Sequence, residues 1–239
     1  MSRYIYKGRS KLIKKIPEKI NKENILIDSC AFIIIASSPI SNTKKLGCPL
    51  INEHFGTEVL DFHLDVIKMV CKHPEIVIVG GFEVKKVLKH SRREEYIVVE
   101  NILHEMTNSA EDLKIGLNAT RGSNICVVDG NLVPSLLSYR LLLEEPMKSS
   151  ILYSNRRSLG VGCEIGNENY VSYYSYKSLN KLKGAMYLSQ TDSSRMRKKI
   201  LGSTFNKNKF DFELLDETRM IAKNDTSQSV RIDEDFDED

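Results

Sequence analysis

The stretch Ser123–Pro134, "SNICVVDGNLVP", runs four apolar residues, Ile125 to Val128, into Asp129, Gly130 and Asn131 and closes on Pro134. A continuous apolar run bounded by turn residues reads as a strand buried on both faces, as in a sheet covered by helices. A strand that stops at an acid beside a glycine is a common seat for a metal-bound phosphate. The acid ligates the cation, and glycine lets the main chain come close. Asn131 is the odd member, because its carbonyl can ligate a cation but brings no charge.

The same texture recurs on either side. Ala31–Ile35, Ile76–Gly81 and Tyr96–Asn101 are strand-like runs separated by segments of helical period, the pattern of an α/β sheet with helices on its faces. In Glu58–Val70, Leu60, Leu64, Ile67 and Val70 fall on one face of a helix. Glu83–His90 reads as a short helix. Another starts in Thr107–Asp112, with Asn108 or Ser109 as cap, Glu111 and Asp112 in its positively charged first turn, and Leu113, Ile115 and Leu117 toward the core. Pro134 opens a further helix through Leu136, Leu137, Leu141 and Leu142. After Pro146 the pattern predicts a strand at Ser150–Tyr153 and a β-hairpin from Leu159–Ile165 and Tyr170–Tyr176 around Gly166–Asn169. A strand at Leu182–Leu188, helices at Ser193–Leu201 and Phe210–Arg219, and a return to the sheet at Val230–Asp233 complete it.

With 239 residues, 41% of them hydrophobic, the chain can bury one sizeable core. No run approaches the roughly 20 apolar residues that span a bilayer, and the basic start lacks a following apolar segment. A soluble, cytoplasmic protein without membrane attachment is expected. Cys30, Cys48, Cys71, Cys126 and Cys163 are odd in number and widely spaced, which reads as buried reduced thiols. His54, His63, His73, His90 and His104 show no metal-site spacing and read as surface or satisfied side chains. The net charge of +3 divides into a basic N-terminal arm, 1–24, and an acidic tail, 233–239, around a domain at 25–232. Residues 1–22 of the arm carry eight Lys and Arg side chains against one acid, Glu18, with Tyr4 and Tyr6 for stacking. The arm suits a protein partner, this chain's own tail or, through charge alone, nucleic acid.

In this order the pieces resemble the GT-A type nucleotidyltransferases, which join a nucleoside triphosphate to a sugar phosphate, phosphocholine or similar acceptor. The resemblance spans nearly the whole domain. It rests on Ala31–Ser38 leading to Gly47–Leu50, the helix from Val59, Ile76–Phe82, Glu100–Asn101 followed by Thr107–Ala110, and Asp129–Asn131. The later hairpin, the Tyr187 strand, the Phe212-Glu213 helix and Ile232-Asp233 resemble the acceptor-side half and the terminal acidic motif. The resemblance implies a Rossmann-like mixed sheet flanked by helices, with a β-hairpin acceptor-side region. It further implies nucleotide contacts from Ser37, Ser38, Gly80, Gly81, Asn101, Asn108 and Ser109, and phosphate contacts from Lys44 and Lys45. Asp129, Asn131 and Asp233 would hold Mg2+, and Lys44, Lys45 and Asp129 would be the catalytic groups.

Two places depart from the family pattern. The loop Ala36–Asn42 has no glycine where a glycine-rich turn would wrap the triphosphate, and Pro39 removes a main-chain donor. Asn131 stands where the metal-binding acid would be. Three readings follow. The first is a catalytically weakened or inactive nucleotidyltransferase-like protein serving as an interaction or structural module, without cofactor. Its Lys-, Asn-, Ile- and Ser-rich composition suits an AT-rich phage or virus genome, which would place it in host cytoplasm or virion. The second is an active Mg2+-dependent transferase acting on an NTP and a phosphorylated acceptor. The third is a nucleic-acid-associated protein using its basic arm.

Overall fold

The structure, a computed structural model, describes residues 4–5, 14–15, 26–40, 47–54, 57–133, 135–156, 161–200, 215, 218–226 and 230–231. Its first long strand, β1 (Ile27–Ala36), is followed by α1 (Val59–Val70), β2 (Cys71–Gly80), α2 (Val84–Leu88), β3 (Ile97–Glu100), α3 (Ser109–Ala119) and β4 (Ile125–Asp129). Next come β5 (Leu132–Val133), α4 (Leu136–Leu143), β6 (Ser150–Ser154), β7 (Val161–Ile165), β8 (Val171–Tyr176), β9 (Lys181–Leu188) and α5 (Gln190–Ile200). The described chain ends with β10 (Ile221–Asn224) and β11 (Val230–Arg231).

Nine strands form one sheet in the order β8-β7-β9-β4-β1-β2-β3, with β6 pairing both β9 and β10. β1 runs parallel to β2 from Ile27↔Cys71 to Ala36↔Gly80, and parallel to β4 from Ala31↔Ile125 to Ile35↔Asp129. β3 lies parallel to β2 on the far side. The chain thus winds outward through β2 and β3, then returns to the other side of β1. The carboxyl ends of β1 and β4 therefore flank the switch in strand order, where open α/β sheets place their ligands. β9 is antiparallel to β4 (Ala185↔Val128 to Leu188↔Ile125) and carries the hairpin β7–β8 and the strands β6 and β10 beside it.

The apolar strands are continuous because both faces are covered. Along β1, Cys30, Phe32, Ile34 and Ala36 pack with α1 and α4 in one cluster, whereas Ala31 and Ile33 pack with α3 and α5 in another. Phe32, Ile33 and Ile34 are fully buried, each burial stabilising by on the order of 2 kcal/mol. The expected face of α1 is present, since Leu60, Leu64, Ile67 and Val70 are all buried, and Val59, Phe62, His63, Val66 and Met69 widen it. Pro74 is tolerated inside β2 because that stretch pairs only with β1; β3 begins opposite Val77.

Several boundaries differ from the sequence reading. Main-chain pairing extends β1 back to Ile27 and β2 back to Cys71, through polar residues that an apolar count omits. The fourth helix is capped by Ser135, whose side chain accepts from the Ser138 amide; Pro134 lies outside the described residues. Val230–Arg231 does not rejoin the main sheet but pairs antiparallel with β5 beyond the Asp129–Asn131 turn. The expected helix at Phe210–Arg219 falls outside the described residues except for Leu215, Thr218 and Arg219, and so do the acidic tail and most of the basic arm. Within the arm, Tyr4–Ile5 pairs antiparallel with Lys14–Lys15. All five cysteines are buried and free. Among the described residues no helix is long and apolar enough to cross a membrane.

Candidate functional site

At the carboxyl edge of the sheet, the chain turns sharply after Asp129. The Gly130 amide donates to the Ile35 carbonyl at 2.7 Å, and a Cβ on Gly130 would stand 2.9 Å from that oxygen, so only glycine lets the turn lie against β1. Asn131 folds back on Asp129: its main-chain N–H and its Nδ2 both donate to Asp129 Oδ1, at 3.0 and 3.1 Å. This is an Asx-type turn rather than a strand that continues. The other carboxylate oxygen, Oδ2, pairs with Arg231 Nη1 at 2.8 Å, and the two side chains are 30% and 18% exposed. Arg231 is delivered by the β11–β5 ladder, in which it lies opposite Leu132. Gly184 on β9 completes the arrangement. Its φ is +81°, and a Cβ there would lie 2.8 Å from Arg231 Nη1 and 2.9 Å from Asp129 Cβ.

A second ion pair ties β9 to the segment after β10. Lys183 Nζ lies 3.2 Å from Asp225 Oδ2, whose side chain is fully buried, and Ser138 Oγ donates to the same oxygen at 3.0 Å. Neither Lys183, Asp225, Gly184 nor Arg231 stands out in the sequence. A lysine and a glycine interrupting the apolar Leu182–Leu188 run are the only local signal.

Across the edge, Ser37 and Asn101 turn inward. Ser37 Oγ donates to Asp112 Oδ2 at 2.6 Å, while Asn101 Nδ2 donates to Asp112 Oδ1 at 2.8 Å and to Thr107 Oγ1 at 2.9 Å. The Leu103 amide donates to Asn101 Oδ1 at 3.0 Å. Ser37, Asn101 and Asp112 are all buried. Burial pushes the Asp112 carboxyl pKa up, against the Ser37 and Asn101 hydrogen bonds that pull it down. The network ties the ends of β1 and β3 to the first turn of α3. Asn108 caps that helix, its Oδ1 accepting from the Ala110 and Glu111 amides. Ser38 and Ser109 are exposed at the same edge. Gly80 and Gly81 are tightly surrounded: added Cβ atoms would stand 2.6 Å from Val84 Cγ2 and 2.6 Å from the Ser37 carbonyl oxygen, respectively. The edge therefore gathers Ser37, Ser38, Gly80, Gly81, Asn101, Asn108, Ser109, Asp129 and Asn131 at the ends of β1 to β4 and the start of α3. Lys44, Lys45 and Asp233 lie outside the described residues.

One histidine departs from the expectation of surface or satisfied side chains, and a second is satisfied within a charged cluster. His63 on α1 is fully buried, and neither ring nitrogen has a hydrogen-bond partner among the described residues. The fold also assembles Glu58, Asp61 and His90, whose ligand atoms lie within 4.8 Å of one another. That cluster is ill suited to a cation. The Arg92 amide donates to His90 Nδ1 at 3.2 Å, so a neutral ring carries its proton on Nε2, which then donates to Glu58 at 2.9 Å. Arg92 meanwhile neutralises Asp61 and Asp65 at 3.0 and 2.8 Å. The cluster is an ion network bracing α1 against the segment after α2.

The Mg2+ implied by the resemblance fits the described residues poorly. A hard divalent cation needs carboxylate oxygens with uncompensated charge. Asp129 has one oxygen on two Asn131 donors and the other on Arg231, and Asp225 is held by Lys183 and Ser138. Among the described residues, the charge of Asp129 is matched by Arg231 and that of Asp225 by Lys183.

No family model matches the chain, and no curated protein matches it by sequence. Solved structures do match it in fold. The CTP:phosphocholine cytidylyltransferase of Streptococcus pneumoniae superposes with a TM-score of 0.66 at 12% identity, over 85% of this chain and 93% of that one. The inositol-1-phosphate CTP transferase of T. maritima gives 0.60 at 15% identity, over 81% and 84%. A CMP:2-keto-3-deoxy-manno-octonic acid synthetase complexed with CTP gives 0.61 at 10% identity, over 85% and 93%. The chain has the nucleotidyltransferase fold, a mixed Rossmann-like sheet flanked by helices.

Proposed function

We propose that this chain is a nucleotidyltransferase-like protein whose transfer chemistry is weakened or lost, and that it works as a binding or interaction module. Attack of an acceptor phosphate on an α-phosphate gathers several negative charges, so catalysis depends on a cation and donors held ready for them. The observation that carries the reading is that both oxygens of Asp129, the acid at the carboxyl end of β4, are already engaged by Asn131 and Arg231. The glycine-poor Ser37–Asn42 loop supports it independently. In this reading a nucleotide-like ligand meets the edge at the exposed Ser38 and Ser109, and Lys44 and Lys45 are the proposed phosphate contacts. The basic arm, 1–24, and the acidic tail, 233–239, flank the 25–232 domain as docking elements for a protein partner.

The test is pyrophosphate release from each NTP with Mg2+ across a panel of acceptor phosphates, beside thermal-shift titrations with the same nucleotides. Background turnover is expected throughout. Mg2+-dependent turnover abolished by Asp129→Ala would overturn the proposal in favour of an active transferase. That second reading draws on the retained acid at the carboxyl end of β4 and on the transferase activities named for the matching folds.

A further inference from the structure

We propose that the Arg231 guanidinium is the resident cation of this site, and that the carboxyl edge meets the phosphate of its ligand without a divalent metal. The inference rests on the reading of this edge as a nucleotide-phosphate site, and three features from separate parts of the chain converge on it. Asp129 offers Oδ2 to Arg231 Nη1 at 2.8 Å while Asn131 takes Oδ1, so a metal approaching this carboxylate competes with Arg231 for its charge. Gly184, at φ +81°, leaves vacant the space that a Cβ would fill 2.8 Å from Arg231 Nη1, so β9 is shaped around the guanidinium. The β11–β5 ladder places Arg231 opposite Leu132, immediately past the turn that holds Asp129.

Charge decides between the two cations. A guanidinium brings one positive charge on a planar fork, never deprotonates, and is weakly hydrated, so it can sit half-buried against one carboxylate. Mg2+ keeps its waters and needs more negative charge than the described residues of this turn provide, because Asn131 is neutral and Asp129 is paired with Arg231. A divalent ion beside Asp129 would also stand next to a like-charged guanidinium in a partly buried setting, where repulsion is poorly screened. An arginine in this position serves anionic ligands well, since bidentate phosphate recognition is what its geometry favours.

The test uses Mn2+, an EPR-visible stand-in for Mg2+, titrated into the full-length protein with no nucleotide present. Wild-type protein and Asp129→Asn should bind Mn2+ alike, because Arg231 already compensates the Asp129 charge. Arg231→Met and Arg231→Gln should gain a site at least about tenfold tighter than wild type, the factor that corresponds to about 1.4 kcal/mol of removed repulsion and competition. Arg231→Lys, which keeps the charge, should stay close to wild type. The gained site should vanish in the Asp129→Asn/Arg231→Met double variant. Asp129-dependent Mn2+ binding by wild type, or no gain in either uncharged Arg231 variant, overturns the proposal. Arg231→Gln keeps a polar side chain of similar reach and so serves if Arg231→Met fails to fold. Because the readout needs neither nucleotide nor turnover, its failure is distinct from failure of the functional reading.

Discussion

Lowering the pH should destabilise this fold through His63, and the size of the effect follows from its surroundings. The side chain is fully buried on α1 with neither ring nitrogen hydrogen-bonded to a described residue. Burial depresses its pKa from 6.5 to about 3, with the Leu132 main chain opposing the shift. The unfolded chain takes up this proton near pH 6.5 and the folded chain only near pH 3, so between those values the unfolded state binds more protons. Stability is therefore lost as the pH falls through that window, by up to about 1.4 kcal/mol per pH unit. The loss amounts to about 1 kcal/mol at pH 5.5, about 3 at pH 4.5 and about 4 by pH 3, against a total stability of about 5–15 kcal/mol for an ordinary domain.

Urea unfolding of wild type and His63→Phe at pH 7, 5.5 and 4.5 isolates the term, because every other titrating group is common to both chains. Phenylalanine keeps a planar ring and removes the buried imidazole nitrogens, so the variant should match or exceed wild type at pH 7. Its advantage should then widen by about 3 kcal/mol on going to pH 4.5. A difference that stays constant across the three pH values would refute the argument and mean that the native imidazole accepts a proton at little cost.

Lys183→Met should cost about 3 kcal/mol, because it leaves the fully buried Asp225 carboxylate with its lysine partner gone. Adding Asp225→Asn should recover most of that loss in the same chemical melts, and no recovery would show that Lys183 acts through packing instead. Asn108→Ala should lower stability by about 1 kcal/mol through loss of the α3 cap, whereas Asn108→Ser should retain most of it; thermal unfolding distinguishes the two.

The strands were legible because they are a local property. Ile125–Val128 and Ile76–Val79 are apolar at every position, and only a sheet covered on both faces can bury such runs, which β1 does by sending Phe32 and Ile33 into opposite clusters. Asn108 as a cap was readable for the same reason, since the amides it satisfies belong to the next three residues. The ends of β1 and β2 were not readable, because pairing across the sheet carries polar residues such as Asp28 and Lys72 into the strands.

The candidate site lies at the other extreme. Ser37 meets Asp112 across 75 residues, and the pairing of their side chains leaves no trace in either neighbourhood. The burial of His63 and the assembly of Glu58, Asp61 and His90 likewise depend on how α1 docks, not on histidine spacing. By itself the sequence determined an α/β sheet, its strand-helix order and the acid at the end of the fourth strand, because hydrophobic period and turn chemistry are set within a few residues. Only the tertiary structure decided what that acid does. Asp129, Gly184 and Arg231 come from three distant segments, and their charges and the space of one missing Cβ acquire meaning only when β9 and β11 bring them together.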